Sequence, residues 1–558
     1  MTHVASTVLI GGQAGDGAKE AGINLGKLLA TAGQEVFVSV DYPSVIKGGH
    51  IFSRISFSKE KIFSDYKKID LLIAFNNESI SFHQKELKKD GVIFDESCLP
   101  MTQITKEINA PAITRTSVAL GATCYYFNLE IENLEKIFKE AFGEKAEINI
   151  KLAKKGYQYL KTKNFKQKPR RLKGSGLRPK ASEKKKILID GNQALALGLI
   201  KAGLNVYFAY PMTPATSILH FLAKKEKELG LKVVQPENEI AVINMAIGAA
   251  YTGQKVAVGT SGGGFDLMQE AMSLAGMAEI PLVIAVSQRP GPSTGVPTYT
   301  SQSDLRSTRF SGHGEFPRIL LAPGDPEEAY LLGAQALNLA WEYQAPVIVL
   351  LDKHLSESLM TSFFDSSKIK IENGKIAHNP KDYKRFETTS DGISPMAFPG
   401  MKNVVVKATS YEHDEQGITT EDSQIIKEMQ EKRFKKLQLL LKEQKSKETV
   451  KVYGDKKSKN IIVSWGSTKG AVLEAMKYLK KSVKFIQPLY LEPLDAEKIK
   501  NHFKGAKKII DIEGNLTGQL ASLIREKTGI EIENKILKYD SRPFEPIELA
   551  KKINELLS

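Results

Sequence analysis

The chain has 558 residues, of which 42% are hydrophobic and 26% charged. This length predicts roughly three to four domains, and the composition excludes a mostly disordered or fibrous protein. There is no apolar run of about 18 residues and no signal-peptide pattern, so we expect no membrane span and a cytoplasmic location. The two cysteines, Cys98 and Cys124, argue against a disulfide framework. They also fall short of the four thiolates that an iron–sulfur cluster typically needs.

The basic charge of the chain is concentrated in one segment. Residues 161–186 contain twelve Lys or Arg and one Glu, so +11 of the net charge of +15 lies there and the other 532 residues carry +4. Its Pro, Gly and Ser content and lack of periodicity predict a solvated linker. Binding to nucleic acid or to an acidic partner is the alternative. No interleaved aromatic pattern supports nucleic-acid recognition, so we expect none.

In chain order, the first 160 residues begin as an α/β unit. A short strand, Thr7–Ile10, precedes the glycine-rich turn GGQAGDG, a helical stretch and the strand EVFVSVDYP. This order predicts the beginning of a parallel sheet. Three further segments, HIFSRISFS, IDLLIAF and DGVIFDE, also have strand character.

The part after the linker repeats the alternation of helix and strand, which predicts a doubly wound sheet over residues 187–360. Its last helix ends near Tyr343, with Asp325 as the N-cap and Pro326 at the first position. Residues 361–450 are expected to form a connecting segment with a long charged helix. Residues 451–558 resume α/β alternation as a last domain.

The glycine-rich turn allows several interpretations. Glycines between a strand and a helix let backbone N–H groups approach an anion, but Gly11, Gly12, Gly15 and Gly17 do not follow the dinucleotide fingerprint. A tight turn at a subunit contact, a coenzyme A contact and classical dinucleotide binding remain open. Asp16 resembles the start of a thiamine diphosphate and magnesium motif, but no asparagine follows 25–30 positions later. We therefore expect no metal site on this chain.

Three later segments carry candidate chemistry, each beside a structural alternative. The loop FAYPMTPATS (208–217) places Thr213 before a helix, where its hydroxyl can hold a carboxylate or cap the helix. Glu237 and Glu239 open an apolar helix, where they can complement its N-terminus or bind a cofactor nitrogen. Arg289 follows a strand, and it can clamp a carboxylate or pair with a surface acid.

Together these segments resemble the 2-oxoacid:ferredoxin oxidoreductases. YPMTPATS, ENEIAVINMAIGAAYTG and QRPGPSTGVPT are similar to the pyrimidine-binding domain of these thiamine diphosphate enzymes. Residues 1–160, with GGQAGDG and DYPSVIKGGHIFSRIS, resemble the family's gamma domain. EGNLTGQLASLIR and YDSRPFEPIE resemble its transketolase C-terminal-like domain. The gamma–alpha order is similar to the alpha chain of the two-subunit branch, which often acts on 2-oxoglutarate.

The resemblance implies roles for particular residues. Glu239, rather than Glu237, matches the catalytic glutamate that binds the aminopyrimidine N1′ of the cofactor. Tyr210 and Pro211 match further cofactor-binding residues. Thr213 and Arg289 match the residues that bind the 2-oxoacid. The glycine turn and the KGG of the gamma domain match a region that contacts coenzyme A or another subunit. These residues are Gly12, Gly15, Gly17, Lys47, Gly48 and Gly49.

Two departures from the family pattern occur. Met212 replaces the usual isoleucine, a mild change of similar volume. Met396 stands where an arginine is common, which puts an anion-binding role there in doubt.

The resemblance also implies the reaction and its components. A 2-oxoacid, with 2-oxoglutarate as the favoured substrate, loses carbon dioxide, passes electrons to ferredoxin and gives its acyl group to coenzyme A. Pyruvate, a branched-chain 2-oxoacid and a non-redox thiamine enzyme are the alternatives. A beta subunit is expected to share thiamine diphosphate and to supply Mg²⁺ and a [4Fe–4S] cluster, so this chain alone should be inactive.

Overall fold

The computed structural model describes residues 5–44, 49–163, 186–378 and 380–558. The predicted linker at 161–186 lies almost entirely outside these residues. The strands are β1 Ser6–Gln13, β2 Glu35–Asp41, β3 His50–Ser58, β4 Ile69–Ala74, β5 Leu87–Phe94, β6 Ile187–Asp190, β7 Val206–Phe208, β8 Lys232–Val234, β9 Val256–Thr260, β10 Leu282–Gln288, β11 Ile319–Leu321, β12 Pro346–Asp352, β13 Leu359–Ser362, β14 Val450–Gly454, β15 Asn460–Val463, β16 Lys484–Pro488, β17 Tyr490–Glu492, β18 Lys508–Glu513 and β19 Asn534–Leu537.

Helices alternate with these strands through most of the chain. They are α1 Ala18–Thr31, α2 Asn77–His83, α3 Met101–Lys106, α4 Arg115–Phe127, α5 Ile131–Phe142, α6 Ala146–Thr162, α7 Gly191–Lys201, α8 Thr216–Leu229, α9 Glu239–Tyr251, α10 Gly262–Asp266, α11 Gln269–Met277, α12 Leu305–Arg309, α13 Pro326–Tyr343, α14 Lys353–Glu357, α15 Ser423–Gln444, α16 Thr468–Met476, α17 Ala496–Phe503, α18 Gln519–Thr528 and α19 Pro546–Leu557. The α/β class predicted from the sequence is confirmed. In the described part of the chain, no helix combines the length and apolar character needed to cross a membrane.

The chain forms two compact units. The first comprises residues 1–189, 358–363 and 545–549, and the second comprises the remaining residues. The first unit is built on a seven-stranded sheet in the order β5-β4-β1-β3-β2-β13-β6. Helices α4 and α6 approach closely beside it, because Gly121 and Gly156 leave no side chain between them: a Cβ on either would lie about 2 Å from the other helix's backbone.

The first sheet is mixed, so the parallel beginning predicted from the sequence is wrong in part. Strands β1, β4 and β5 run parallel. Strand β3, however, inserts between β1 and β2 and is antiparallel to both. Pairing with β3 also extends β1 to Gln13, opposite His50. Gly11 and Gly12 therefore belong to the strand, and only the later glycines form the turn.

The second unit contains a larger, mostly parallel sheet in the order β17-β11-β12-β10-β9-β7-β8. Strands β8, β7, β9, β10, β12 and β11 run parallel, and only β17 is antiparallel to its neighbour. This agrees with the doubly wound prediction. Asp325 caps α13 by accepting from the N–H of Glu328, and Pro326 is the first helical residue, as predicted.

The last sheet, β14-β16-β15-β18-β19, also belongs to the second unit. Its core is continuous with that of the larger sheet, since Val258, Ile284, Trp465 and Ile486 belong to one buried cluster. The long helix predicted in the connecting segment is α15. Asp422 caps it by accepting from two backbone N–H groups.

Candidate active site

The strand order of the larger sheet determines where its loops can form a crevice. After β7 the chain adds β8 on one side, and it then returns to the other side of β7 with β9. In open α/β sheets, ligands bind outside the carboxyl ends of the strands where the direction of strand addition reverses. The segments at this position are the loop after β7, which contains Thr213, and the glycines at 262–264 after β9.

Glu239 lies at the start of α9, directly after the loop that follows β8. The side chain of Asn238 caps this helix by accepting from the N–H of Ala241 over 2.9 Å, so the Glu239 side chain is not needed as a cap. Glu239 is only 3% exposed, and its Oε1 has no hydrogen-bond partner among the described residues. Glu237 is exposed. The two candidate acids thus differ in burial, and of the two only Glu239 offers a buried carboxylate to a ligand.

Gly264 packs directly against this carboxylate. A Cβ at position 264 would lie 2.6 Å from Glu239 Oε1 and 2.2 Å from Thr260 Oγ1. Any larger residue would therefore have to displace the Glu239 side chain. Sequence reasoning missed this role of Gly264, although three consecutive glycines shortly after a strand were the available signal.

Arg289 and Thr213 lie in contact, although 76 residues separate them in the chain. Arg289 Nη1 donates to the carbonyl oxygen of Thr213 over 2.9 Å. Arg289 Nε is buried and has no partner in the described part of the chain. Burial lowers the pKa of this guanidinium, and the nearby Asp304 opposes that shift. The Arg289 side chain is thus fixed through Nη1, and its Nε–H remains as a donor for a ligand.

Thr213 does not cap the helix that follows it. Helix α8 begins at Thr216, with Ala215 as its N-cap residue. Tyr210 is 39% exposed and Pro211 is also exposed, so both remain available to a ligand or to another chain. Thr213 is therefore not a helix cap, which was the structural alternative for this residue.

Asp304 is a second residue that sequence reasoning missed. It precedes α12, and its Oδ2 would lie 2.5 Å from a Cβ at Gly262. Burial raises the pKa of Asp304 to about 6, although Arg289 nearby lowers it. The carboxyl groups of Glu239 and Asp304 thus pack on the same short glycine segment, through Gly264 and Gly262, and the half-buried Arg289 lies near Asp304.

Large apolar side chains are exposed on the segments that carry this site. They follow β7, lie on the outer face of α9, end α10 and occupy the loop after β10: Tyr210, Ile240, Met245, Leu267 and Val296, each 39–52% exposed. Gly248 adds no side chain to this face of α9, since a Cβ there would meet nothing within 4 Å. Exposed apolar side chains are typical of an interaction site where they form one contiguous patch.

The remaining candidate residues belong to the first unit. Gly15 and Gly17 have positive φ angles of 99° and 80°, which explains glycine at both positions. Asp16 closes the turn: it accepts from the N–H of Gln13 over 2.8 Å and forms an ion pair of 2.7 Å with Arg115.

Gly12 packs against Asp16, since a Cβ there would lie 2.8 Å from the Asp16 carboxylate. Gly49 is exposed, with a φ of 80°. Lys47 and Gly48 lie outside the described residues.

Comparison with known proteins identifies the family. Residues 197–432 match the model "Pyruvate flavodoxin/ferredoxin oxidoreductase, thiamine diP-bdg", and residues 7–159 match "Pyruvate ferredoxin/flavodoxin oxidoreductase". The 2-oxoacid:ferredoxin oxidoreductase subunit alpha of Sulfolobus sp is 33% identical over 98% of this chain and 96% of that protein. The 2-oxoglutarate synthase subunit KorA of Archaeoglobus fulgidus is 42% identical over 31% of this chain and 51% of its own length.

A solved structure agrees over nearly the whole length. The 2-oxoglutarate:ferredoxin oxidoreductase from Magnetococcus marinus, solved with 2-oxoglutarate, coenzyme A and succinyl-CoA bound, superposes with a TM-score of 0.90. It is 33% identical and covers 99% of this chain and 100% of its own. The chain therefore belongs to the 2-oxoacid:ferredoxin oxidoreductase family, as an alpha subunit.

Proposed function

We propose that this alpha subunit, together with a beta subunit, converts 2-oxoglutarate and coenzyme A to succinyl-CoA and carbon dioxide, with two electrons passing to ferredoxin. The observation that carries the proposal is the buried carboxylate of Glu239. It lies at the sheet position where ligands bind and has an oxygen without a partner among the described residues. Pyruvate or a branched-chain 2-oxoacid as the main substrate, and non-redox decarboxylation, are the competing assignments.

The residues around Glu239 fit the pyrimidine half of thiamine diphosphate. An unpartnered buried carboxylate requires a donor or a proton, because burying it alone costs several kcal/mol. A protonated or N–H-bearing ring nitrogen is such a donor. The missing side chain at Gly264 keeps the approach to Oε1 open. When bound, thiamine diphosphate supplies the electron sink that decarboxylation of a 2-oxoacid requires.

Glu239 would then be the catalytic residue of this chain. Its carboxylate would hold N1′ of the aminopyrimidine and thereby control where the ring carries its protons. Tyr210 and Pro211, in the exposed loop after β7, would line the cofactor. The contribution of the protein is to orient the ring and to keep its proton at a defined atom.

Arg289 and Thr213 would bind the substrate. The contact with the Thr213 carbonyl holds the guanidinium in place, so that less side-chain freedom is lost when a carboxylate binds. Thr213 supplies a hydroxyl beside it. A planar guanidinium suits a carboxylate, which is the group shared by all 2-oxoacids.

The beta subunit would cover the exposed apolar face around Tyr210, Ile240 and Met245. Ile240 directly follows Glu239 in α9, so a partner on this face would help to exclude water from the cofactor. The sequence carries no complete diphosphate and magnesium motif, and its two cysteines are too few for a [4Fe–4S] cluster. The beta subunit would provide both.

The preference for 2-oxoglutarate rests on the similarity to KorA and to the Magnetococcus marinus enzyme. Coenzyme A would meet the first unit at the glycine turn and the KGG segment. Gly15 and Gly17 have the backbone conformation for close approach there, and Gly12, Lys47, Gly48 and Gly49 would complete the contact. A contact with another subunit is the alternative use of this region.

The experiment is a parallel substrate comparison under anaerobic conditions. The chain is co-expressed with its beta subunit, and viologen reduction is measured with 2-oxoglutarate, pyruvate and 2-oxobutyrate, each with and without coenzyme A. The highest kcat/KM is expected for 2-oxoglutarate. A higher value for pyruvate would replace the substrate assignment, and dye-independent release of carbon dioxide would favour a non-redox enzyme.

A further inference from the structure

Asp304 occupies the position of a helix cap without acting as one. It is the N-cap residue of α12, but its side chain forms no capping hydrogen bond within the described residues. Four other aspartates of the second unit do cap their helices, each by accepting from a backbone N–H: Asp190, Asp325, Asp422 and Asp495. The ordinary structural reason for an aspartate at this position is therefore missing.

The environment of the Asp304 carboxyl group is unusually poor in partners. Within the part of the chain that the structure describes, its Oδ1 accepts only a long hydrogen bond of 3.3 Å from Ser303 Oγ. Its Oδ2 is buried, and no partner for it occurs in the described ranges. The backbone N–H of Asp304 is fixed separately, by donating to Gln288 Oε1 over 3.0 Å.

The side chain is aimed at the site rather than away from it. Oδ2 packs on Gly262, two residues before the glycine that contacts Glu239, and any side chain at position 262 would collide with it. The charged groups that act on Asp304 are Arg289, after β10, and Asp266, at the end of α10. Helix α18 contributes the neutral amide of Gln519, which is bonded to Ser303 and Arg306.

We propose that Asp304 is a positioning residue of the 2-oxoacid site. Its carboxyl group sets the net charge around Arg289, so that substrate binding is coupled to protonation of Asp304. The inference rests on the proposed function, because it takes Arg289 as the group that binds the substrate carboxylate. Among the described residues, no ion pair within 4 Å joins Arg289 to Asp304, so the carboxyl group of Asp304 is not held in its ionised form by a direct contact.

The coupling follows from electrostatics in a buried site. When Asp304 is ionised, it offsets the charge of Arg289, and a substrate carboxylate gains little by binding. When Asp304 is neutral, the guanidinium charge is uncompensated and attracts the substrate. Burial raises the pKa of Asp304 to about 6, and a bound carboxylate would raise it further. Above pH 6, binding should therefore take up a proton and weaken by up to about tenfold per pH unit.

The test uses the assembled alpha–beta complex and its preferred 2-oxoacid. KM and kcat are measured separately between pH 5.5 and pH 8. The KM of the native complex is expected to rise with pH above about 6, with a smaller change in kcat. The KM of the Asp304→Asn variant should not change with pH over this range. At pH 8 it should lie below the KM of the native complex.

A second measurement reports on Asp304 without turnover. Infrared difference spectra of native complex minus Asp304→Asn should contain one carboxyl C=O stretching band that disappears near pH 6. The band keeps the inference testable if the variant assembles poorly, because the native spectrum can be titrated alone. A side chain that remains ionised from pH 5 to pH 8 would overturn the inference.

Two control variants separate the possible failures. Asp266→Asn removes a nearby exposed carboxylate that raises the pKa of Asp304, so KM should still rise with pH, but from a slightly lower pH. Arg289→Ala should raise KM at every pH. An unchanged KM in Arg289→Ala would remove the substrate role of that residue. If instead Arg289→Ala is impaired while Asp304→Asn keeps the native pH profile, only the role of Asp304 is contradicted.

Discussion

The guanidinium of Arg289 donates a hydrogen bond of 2.9 Å to the backbone carbonyl oxygen of Thr213. The two residues come from loops that follow β10 and β7, strands separated in the sheet only by β9. The contact joins two of the sequence segments that carry the family resemblance. It also explains how a long, flexible side chain can be presented to a ligand in one orientation.

Replacing Arg289 by alanine should weaken substrate binding. A hydrogen bond to a charged group contributes about 1.5–3 kcal/mol, so KM for the 2-oxoacid should rise roughly ten- to hundredfold. Arg306→Ala is the matched control, because among the described residues the guanidinium of Arg306 donates only to the hydroxyl groups of Thr517 and Ser522. Steady-state kinetics of both variants measures the two KM values. Equal KM values would contradict a role of Arg289 in binding the substrate.

Replacing Glu239 by glutamine should abolish turnover while the complex still assembles. Glutamine preserves the shape of the buried side chain but removes the charge that would hold the N1′ proton. The control is Glu237→Gln, two residues upstream and exposed, which should keep near-native kcat. Gel filtration establishes assembly, and viologen reduction measures turnover. Near-native activity of Glu239→Gln would remove this residue from the mechanism.

Replacing Gly264 by alanine should reduce the affinity for thiamine diphosphate. The new Cβ would lie 2.6 Å from Glu239 Oε1, so the carboxylate has to move away from the position it now holds. Gly263→Ala adds the same methyl group where the nearest atom is 3.8 Å away, and should bind the cofactor normally. Cofactor titration by fluorescence quenching distinguishes the variants. Equal affinities would mean that the position of Glu239 is not important for binding.

A buried ionic cluster should be critical for the stability of the second unit. Glu279 is 2% exposed and pairs with Lys432 over 2.7 Å and with Lys436. Burial alone would raise the pKa of Glu279, but these lysines and Arg385 outweigh burial and lower it. Glu279→Gln would leave the cations buried without a counter-charge, which typically costs about 3–5 kcal/mol.

Urea unfolding, followed by circular dichroism, measures this effect. Glu431→Gln is the control on α15, the helix of Lys432 and Lys436, since Glu431 is 60% exposed and lies 4.0 Å from Lys427. Its removal should change the free energy of unfolding by less than about 0.5 kcal/mol. A similar small change for Glu279→Gln would show that the lysines can lose their charge without cost.

The sequence could predict that the candidate residues lie at one edge of the sheet, because local sequence carries the necessary information. Glu239 and Arg289 each follow a recognisable strand, and parallel strands bring such positions to one edge of a sheet. Gly264 and Asp304 were missed for a different reason. Their roles depend on contacts with Glu239 and Gly262, which lie 25 and 42 residues away and have no local pattern.

The strand order of the mixed sheet in the first unit could not be predicted from local sequence patterns. Strand β13 pairs with β2 across more than 300 residues, and Val36 donates its N–H to Thr361 there. Periodicity reports that a segment is a strand, but it contains no information on which strand lies beside it. The insertion of β3 between β1 and β2 was hidden in the same way.

The most direct measurement is coenzyme-A-dependent viologen reduction by the alpha–beta complex, compared with each chain alone and with the Glu239→Gln complex. The native complex should reduce the dye only in the presence of a 2-oxoacid, coenzyme A and thiamine diphosphate. Each separate chain and the Glu239→Gln complex should be inactive. Dye reduction by the alpha chain alone, or by the Glu239→Gln complex at the native rate, would contradict a shared cofactor site built on Glu239.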